Sequence, residues 1–189
     1  MSENKQTGSF PTTILRDTRE QHPWEFEEFS VETQDVTLAT GDYAAPAHCS
    51  HDDESATHHP QYAIERKSAP DFLNSLTWDR DRFKRELQRA AQWRRPLPVV
   101  VETSWHSLLR NRGCMAQRDI HPSQVSGTVG AWAKYYNVAF HFTETRRQAE
   151  HCAFLLLVRH KLVRRLDLGS WAGTTRESTI QVQDGSNAQ

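Results

Sequence analysis

The stretch Glu65-Arg66-Lys67-Ser68-Ala69-Pro70-Asp71 directly follows a short apolar run, Tyr62-Ala63-Ile64. The apolar run predicts a strand, and residues two apart on a strand point to the same face, so Glu65 and Lys67 should lie side by side. A carboxylate can hold a hard divalent cation, and a neighbouring ammonium can orient and help to deprotonate a water. The pair would suit metal-assisted phosphodiester hydrolysis. The plain alternative is an exposed strand face.

Length and charge narrow the class of protein. The 189 residues predict one domain with enough chain to bury a core. A net charge of -1 does not indicate a nucleic-acid binder, so the local distribution of charge decides. The longest apolar run, residues 153–158, is far too short to span a bilayer, and no signal sequence is recognisable. Three widely spaced cysteines favour reduced thiols. We therefore expect a cytoplasmic protein with no membrane association.

Apolar patterns along the chain alternate between strand-like and helix-like periods. They predict strands at 12–15, 31–40, 62–67, 99–101 and 138–142, and helices at 71–76, 82–93, 104–112, 123–136 and 147–166. This alternation predicts an α/β fold with a mixed central sheet. We expect a domain over residues 11–168, a flexible N-terminus at 1–10, and a disordered tail at 169–189. Residues 46–60 are rich in His, Asp, Ser and Pro and predict an exposed loop.

Ionisable residues recur where the predicted strands end. They are Asp17-Thr18-Arg19-Glu20, Gly41-Asp42, Glu65-Arg66-Lys67 and Asp71. Each has a plain alternative: a turn for Asp17 and Asp42, or a helix N-cap for Asp71. The plain explanation weakens for the set, because acids that flank several apolar strands should converge at one edge of the sheet.

In this order the motifs resemble the nuclease domain of the XPF/Mus-type structure-specific endonucleases, the ERCC-type domain. That family carries Gly-Asp, a spacer and then Glu-Arg-Lys-x-x-x-Asp, which match Gly41-Asp42 and residues 65–71. Its opening strand ends in Asp-x-Arg-Glu, as residues 17–20 do, and a later apolar strand ends in Glu, as residues 99–102 do. The resemblance covers roughly residues 12–166. It implies a restriction-endonuclease-like fold of the PD-(D/E)xK superfamily, a central mixed sheet flanked by helices.

The resemblance also implies roles for the ionisable residues. Asp42 and Glu65 would bind Mg²⁺ or Mn²⁺, Lys67 would position the attacking water, and Asp17 is the third candidate metal ligand. Close carboxylates raise each other's pKa, so the acids need such a cation. Support of the acids, or contact with the phosphate or the DNA, would fall on Glu20, Arg66, Arg19, Asp71 and Arg80.

The implied activity is DNA endonuclease cleavage that leaves a 5′-phosphate and a 3′-hydroxyl. Flap, fork and junction substrates all fit, in DNA repair, recombination or phage DNA processing. A restriction or defence nuclease is an alternative, and so is an inactive DNA-binding scaffold. Many relatives carry a tandem helix-hairpin-helix domain after the nuclease, which this sequence does not show. The chain therefore looks more like bacterial or phage members.

Three further features have two readings each. Arg82, Arg85 and Arg89 share one predicted helix face, which is either solvated or tracks DNA phosphates, and Trp78 nearby could stack on bases. A His-rich segment matches no standard zinc spacing, so a polar loop is favoured over a zinc site; it contains His48, Cys49, His51, His58 and His59. The last helix has a stripe that either packs in the core or, as the resemblance implies, forms a homodimer; it is Cys152, Leu155, Leu156, Arg159 and Val163.

Overall fold

The computed structural model describes residues 13–52 and 54–163. Its strands are β1 (Thr13–Asp17), β2 (Glu32–Leu38), β3 (Tyr43–Ala44), β4 (Cys49–Asp52), β5 (Thr57–Pro60), β6 (Ala63–Lys67), β7 (Leu97–Val101) and β8 (Val138–Phe142). Its α-helices are α1 (Ala69–Leu76), α2 (Arg80–Ala90), α3 (Trp105–Arg110), α4 (Arg112–Ala116), α5 (Pro122–Tyr135) and α6 (Arg146–Val163). The predicted flexible N-terminus, the predicted tail and both predicted domain boundaries lie outside the described residues.

The strands form one mixed sheet in the order β4-β5-β2-β1-β3-β6-β7-β8, which confirms the predicted α/β fold. The short β3 is antiparallel to both β1 and β6. These two strands therefore run in the same direction, and their C-terminal ends lie at the same edge of the sheet as the start of β3. The backbone N–H of Asp17 donates to the carbonyl of Asp42 at 2.8 Å, which joins two of these ends. The acid-bearing segments thus meet at one edge, as the sequence predicted.

The centre of the sheet is buried on both faces. In β7, Leu97, Val99 and Val101 pack into an apolar cluster with residues of α1, α2 and α5, whereas Val100 packs into a second cluster with α6. A strand covered on both sides needs a continuous apolar sequence, and this explains why β7 shows no alternation. The second cluster also contains Ile64 of β6, which pairs with β7 in the parallel register that places Glu65 opposite Val99.

The expectation of a loop at residues 46–60 is wrong for most of its length. After a short 3₁₀ turn, β4 and β5 form an antiparallel hairpin, and β5 extends the sheet by pairing with β2. Backbone pairing at a sheet edge needs no buried apolar face, so a polar, His-rich sequence can form it. His51 pairs with His58 across the hairpin, with ring centroids 4.6 Å apart.

Two further observations concern the helices and the cysteines. Among the described helices, none is long and apolar enough to cross a membrane. Cys49, Cys114 and Cys152 are all free thiols, as the sequence predicted.

Candidate active site

A cleft of about 390 Å³ opens at the edge of the sheet where β1, β3 and β6 meet, and α2 forms its opposite wall. Most of the predicted site residues line it: Arg19, Glu20, Asp42, Glu65, Arg66, Lys67, Asp71, Arg82, Arg85 and Arg89. Two predicted residues, Asp17 and Arg80, are not part of its lining. Segments up to about 70 residues apart in the chain therefore form one polar cleft.

A tight turn delivers Asp42 to the cleft. Gly41 has φ of +81°, and a Cβ at this position would lie 2.7 Å from the Cβ of Ala63 and 3.2 Å from the carbonyl oxygen of Ile64. Only glycine fits so close to β6. The turn lets the N–H of Asp42 donate to the Ile64 carbonyl at 2.8 Å, while Asp42 Oδ2 accepts from the N–H of Arg66 at 2.7 Å. Asp42 is thus held against the strand that carries Glu65.

Glu65 and Lys67 lie on the same side of β6, as the two-residue period predicted. The Lys67 ammonium donates to Glu65 Oε1 and also lies over the ring of Phe83 on α2, 5.0 Å from its centroid. The side chains of Glu65 and Lys67 are almost fully buried, with 3% and 12% of their surface exposed, respectively. The Lys67 ammonium is therefore restricted to the floor of the cleft.

The charges of this group strongly perturb one another. Burial raises the pKa of Asp42 to about 7, and Glu86 also raises it, against the opposing charge of Lys67. Burial, and then Asp42 and Glu86, raise the pKa of Glu65 well above its usual value. Burial disfavours the Lys67 ammonium, but Glu65, Asp42 and Glu86 outweigh it, so the pKa of Lys67 is raised. One ammonium does not neutralise this many acids, and such perturbed groups in a cleft are typical of functional sites.

The donor set fits a hard divalent cation. Glu65 Oε2 is buried and has no hydrogen-bond partner, although an unsatisfied buried polar atom costs about 1–3 kcal/mol. No three His, Cys, Asp or Glu side chains in the described part of the chain are grouped closely enough to form a metal site by themselves. Mg²⁺ commonly takes one or two carboxylates and completes its shell with waters and substrate phosphates. Asp42 and Glu65 are such a pair.

The sequence did not identify Glu86 as a site residue. It lines the cleft from α2, and Glu86 Oε1 accepts a hydrogen bond from the N–H of Gly41 at 3.4 Å. Its charge acts on Asp42, Glu65 and Lys67. Its position four residues after Arg82 was the available signal, because helix residues four apart share a face.

Glu102, at the end of β7, was also not identified as a site residue. The family resemblance included it only as the Glu that ends an apolar strand. Its carboxylate accepts two bonds from Arg66, at 2.9 and 2.8 Å, and one each from Trp24 Nε1 at 2.8 Å and Arg146 at 3.0 Å. Glu20 holds the third side of the Arg66 guanidinium at 3.1 Å. Arg66 and Glu20 are therefore parts of a buried ion-pair network beside the acids.

Asp17 has a different environment from the one predicted for a metal ligand. Its carboxylate accepts from the backbone N–H groups of Arg19 and Leu38, at 2.9 and 2.7 Å, and from the Arg19 guanidinium at 2.7 and 2.9 Å. Four N–H donors leave little capacity for a cation. Asp17 positions Arg19, which lines the cleft and also donates to the carbonyl of Leu38 at 2.6 Å.

Arg80 and Asp71 are also held locally. The Arg80 guanidinium donates to the carbonyl of Leu76 at 3.2 Å and lies over the ring of Trp132, so it packs against α1 and α5. Asp71 lines the cleft and accepts from the Ser68 hydroxyl at 2.6 Å, but Ser68, not Asp71, is the N-cap of α1.

The predicted basic face of α2 borders the cleft. Arg82 is mostly exposed and lies 3.5 Å from Asp79, and Arg89 Nε donates to the hydroxyl of Thr40 at 3.0 Å. Arg85 lines the cleft between them. Guanidinium groups form strong hydrogen bonds with phosphate and carboxylate oxygens, so this rim can bind an anionic ligand.

Comparisons with known proteins agree with the fold. The structure is similar to that of XPF from Aeropyrum pernix, with a TM-score of 0.54 and 19% identity over 94% of this chain and 68% of that one. It is also similar to XPF from Aeropyrum pernix in complex with DNA, with a TM-score of 0.55 and 20% identity over 82% of this chain and 68% of that one. No curated protein sequence gives a significant match.

The model of the ERCC4 domain family matches residues 16–155, which include every acid of the cleft. The chain therefore belongs to the ERCC4 domain family. It carries an XPF-type nuclease domain, as the motifs predicted.

Proposed function

We propose that the protein is a metal-dependent endonuclease that hydrolyses phosphodiester bonds in DNA. The observation that carries the proposal is the buried group of Asp42, Glu65 and Lys67, with one unpaired carboxylate oxygen, at the floor of an arginine-rimmed cleft. Family membership supports nuclease activity, and the DNA complex of the XPF from Aeropyrum pernix supports DNA as the substrate class.

In this proposal Asp42 and Glu65 hold Mg²⁺ or Mn²⁺, which when bound neutralises phosphate charge and lowers the pKa of an attacking water. Lys67 favours the ammonium form in the metal-free protein, because the acids around it raise its pKa. It therefore orients the water and stabilises developing negative charge as an ammonium, rather than removing a proton as a free amine. Arg82, Arg85 and Arg89 on α2 bind the phosphates of the strand being cut. Cleavage leaves a 5′-phosphate and a 3′-hydroxyl.

The test is incubation of the purified protein with labelled single-stranded, duplex, flap and four-way DNA, and with RNA, in Mg²⁺, Mn²⁺ or EDTA. We expect cleavage of at least one DNA substrate in either metal and none in EDTA. Cleavage that persists in EDTA would contradict the metal mechanism. Tight DNA binding with no cleavage in either metal would favour the scaffold alternative.

Flap, fork or junction specificity belongs to the same proposal, as does a role in repair, recombination, phage DNA processing or defence. An intracellular location accords with the three free thiols. The substrate panel separates the structure-specific possibilities, because a structure-specific enzyme cuts a flap or junction faster than a fully paired duplex of the same length.

We further propose that the chain forms a homodimer through α6. Ala149, Ala153 and Leu157 form the buried side of this helix, whereas Leu155 is 50% exposed and Leu156 partly so. The predicted stripe therefore does not serve core packing alone. Cys152, also in the stripe, is partly buried against the cluster that contains Val100, and the side chains of Arg159 and Val163 lie outside the described residues.

Substitution of Leu155 by glutamate is expected to convert a dimer into a monomer, because a charge placed at an apolar interface must lose its hydration. The measurement is mass by light scattering across a range of protein concentrations. Gln148→Glu, on the first turns of the same helix, is the control and should leave the mass unchanged. A wild-type protein that is monomeric at every concentration would contradict the proposed dimer.

A further inference from the structure

Trp78 is a large apolar side chain that the fold leaves in solvent. It lies between α1 and α2, and 70% of its surface is exposed. The other tryptophans among the described residues are buried or partly buried: Trp24, Trp93, Trp105 and Trp132. An exposed indole contributes nothing to the core, but it is accessible to a ligand.

The turn that carries Trp78 is tightly hydrogen bonded. The carbonyl of Asn74 accepts from the N–H of Thr77 at 3.0 Å and from the N–H of Asp79 at 2.9 Å. The hydroxyl of Thr77 donates to the carbonyl of Leu73 at 3.0 Å. These bonds fix the backbone on both sides of Trp78, so the indole is presented in a restricted position.

The guanidinium of Arg118 lies over the indole ring of Trp78. The central carbon of the Arg118 guanidinium lies 5.5 Å from the centre of the Trp78 ring. Arg118 is held there by bonds from its Nε to Asn74 Oδ1, at 2.7 Å, and from its Nη1 to the carbonyl of Cys114, at 2.9 Å. The cation is therefore fixed against the ring, and the pair forms a flat, positively charged aromatic surface.

This surface adjoins the catalytic cleft. Ser75 and Asp79, on either side of Trp78 in the chain, both line the cleft, and so does Arg82. A strand whose phosphate is bound at the arginine rim would have its neighbouring bases within reach of this turn.

We propose that Trp78, supported by Arg118, is a stacking surface for one unpaired nucleobase of the DNA strand beside the scissile phosphate. The ligand class is single-stranded or unpaired DNA, because a base within a duplex has both faces stacked on its neighbours. The proposal rests on the proposed function and narrows it. The substrate would carry at least one unpaired nucleotide next to the cut, as a flap or a splayed end does.

The test measures binding in EDTA, so that no cleavage occurs, by fluorescence anisotropy of a labelled oligonucleotide. Three ligands are compared: a single strand, the same strand with its bases replaced by abasic sites, and a blunt duplex. Trp78→Leu is expected to weaken binding of the single strand about tenfold, since stacking of one base on an aromatic ring is worth roughly 1–3 kcal/mol. Trp78→Phe should recover most of that loss.

Tyr135 provides a matched control. It is 73% exposed and also pairs with a cation, Lys134, at 5.4 Å, but it is not part of the cleft lining. Tyr135→Leu should bind all three ligands as the wild type does. Because Trp78 is exposed, Trp78→Leu should keep the melting temperature of the wild type.

Equal affinity of wild type and Trp78→Leu for the single strand would overturn the stacking role, and so would an equal loss on the abasic strand. If the wild type cuts DNA while Trp78→Leu binds normally, only the stacking role fails. If the wild type neither binds nor cuts any DNA, the proposed function fails and the stacking role with it. Loss confined to the strand that carries bases supports the proposal.

Discussion

Replacing Lys67 with methionine is expected to lower the rate of metal-dependent DNA cleavage by about 10²- to 10³-fold, the usual contribution of one positioned group that stabilises charge developing in the transition state. Methionine has a similar length and is apolar, so it can occupy the space over Phe83 that the Lys67 side chain fills. What is lost is the ammonium beside Glu65. Initial cleavage rates at saturating Mg²⁺ or Mn²⁺ measure the effect.

Folding and DNA binding separate this loss from a structural one. The pKa of Glu65 is already raised well above its usual value, so this carboxyl can become neutral when the ammonium is gone. We therefore expect the variant to stay folded and to bind DNA like the wild type. Lys84→Met on α2, whose ion pair with Asp81 spans 4.0 Å, is the control and should cut normally. Cleavage by Lys67→Met within threefold of the wild type would rule out the proposed role.

Replacing Asp42 with asparagine is expected to abolish cleavage and, in metal-free buffer at pH 8, to raise the melting temperature. Asparagine keeps an oxygen that can accept from the N–H of Arg66, as Asp42 Oδ2 does. The substitution removes a buried negative charge that the neighbouring charges of Glu65 and Glu86 destabilise. Activity and stability should therefore change in opposite directions, which is the behaviour of a functional site that is strained in the folded protein.

The pH dependence follows from the raised pKa of Asp42. The folded protein holds a proton on Asp42 up to about pH 7, whereas the unfolded chain releases it near the ordinary value of 3.8. Between these values the folded state binds more protons, so the free energy of unfolding falls as pH rises. The advantage of Asp42→Asn should be absent near pH 3, grow to about pH 7, and then stay constant. Above pH 7 the free energy of unfolding of Asp42→Asn should exceed that of the wild type by about 4 kcal/mol, because each pKa unit corresponds to about 1.4 kcal/mol.

Thermal melts of both proteins from pH 3 to pH 9, with EDTA, Mg²⁺ or Mn²⁺, measure these effects. A ligand that binds only the folded state raises its stability, so each metal should raise the melting temperature of the wild type at pH 8. It should have little effect on Asp42→Asn. Equal stabilisation of both proteins by Mn²⁺ would show that the ion binds elsewhere. A lower melting temperature for Asp42→Asn at pH 8 in EDTA would contradict the proposed charge strain.

Local patterns predicted the centre of the site. Glu65 and Lys67 share a face because strand side chains alternate, and this period does not depend on the rest of the fold. Gly41 marked the unusual backbone before Asp42, because only glycine tolerates it easily. The apolar runs of β6 and β7 predicted buried strands, and their ends carry Lys67 and Glu102.

Other features depend on which surfaces meet. Helical spacing puts Glu86 on the same face as its neighbouring arginines, but no local pattern says that this face closes over Asp42 and Glu65. Asp17 and Arg80 are of residue types that suit a nuclease site. Their partners, the N–H of Leu38 and the ring of Trp132, are remote in sequence. The β4–β5 hairpin forms through backbone pairing with β2, which side-chain hydrophobicity does not encode.

The sequence by itself determined the strand–helix alternation, the turn at Gly41 and the acid–lysine pair on β6, because each depends on residues close together in the chain. The tertiary structure alone decided which charges share the cleft: it brought Glu86 in, turned Asp17 and Arg80 to other partners, and left Trp78 exposed at the rim. The physical reason is that burial and charge pairing depend on distances between distant segments, and these distances exist only once the sheet and α2 have packed together.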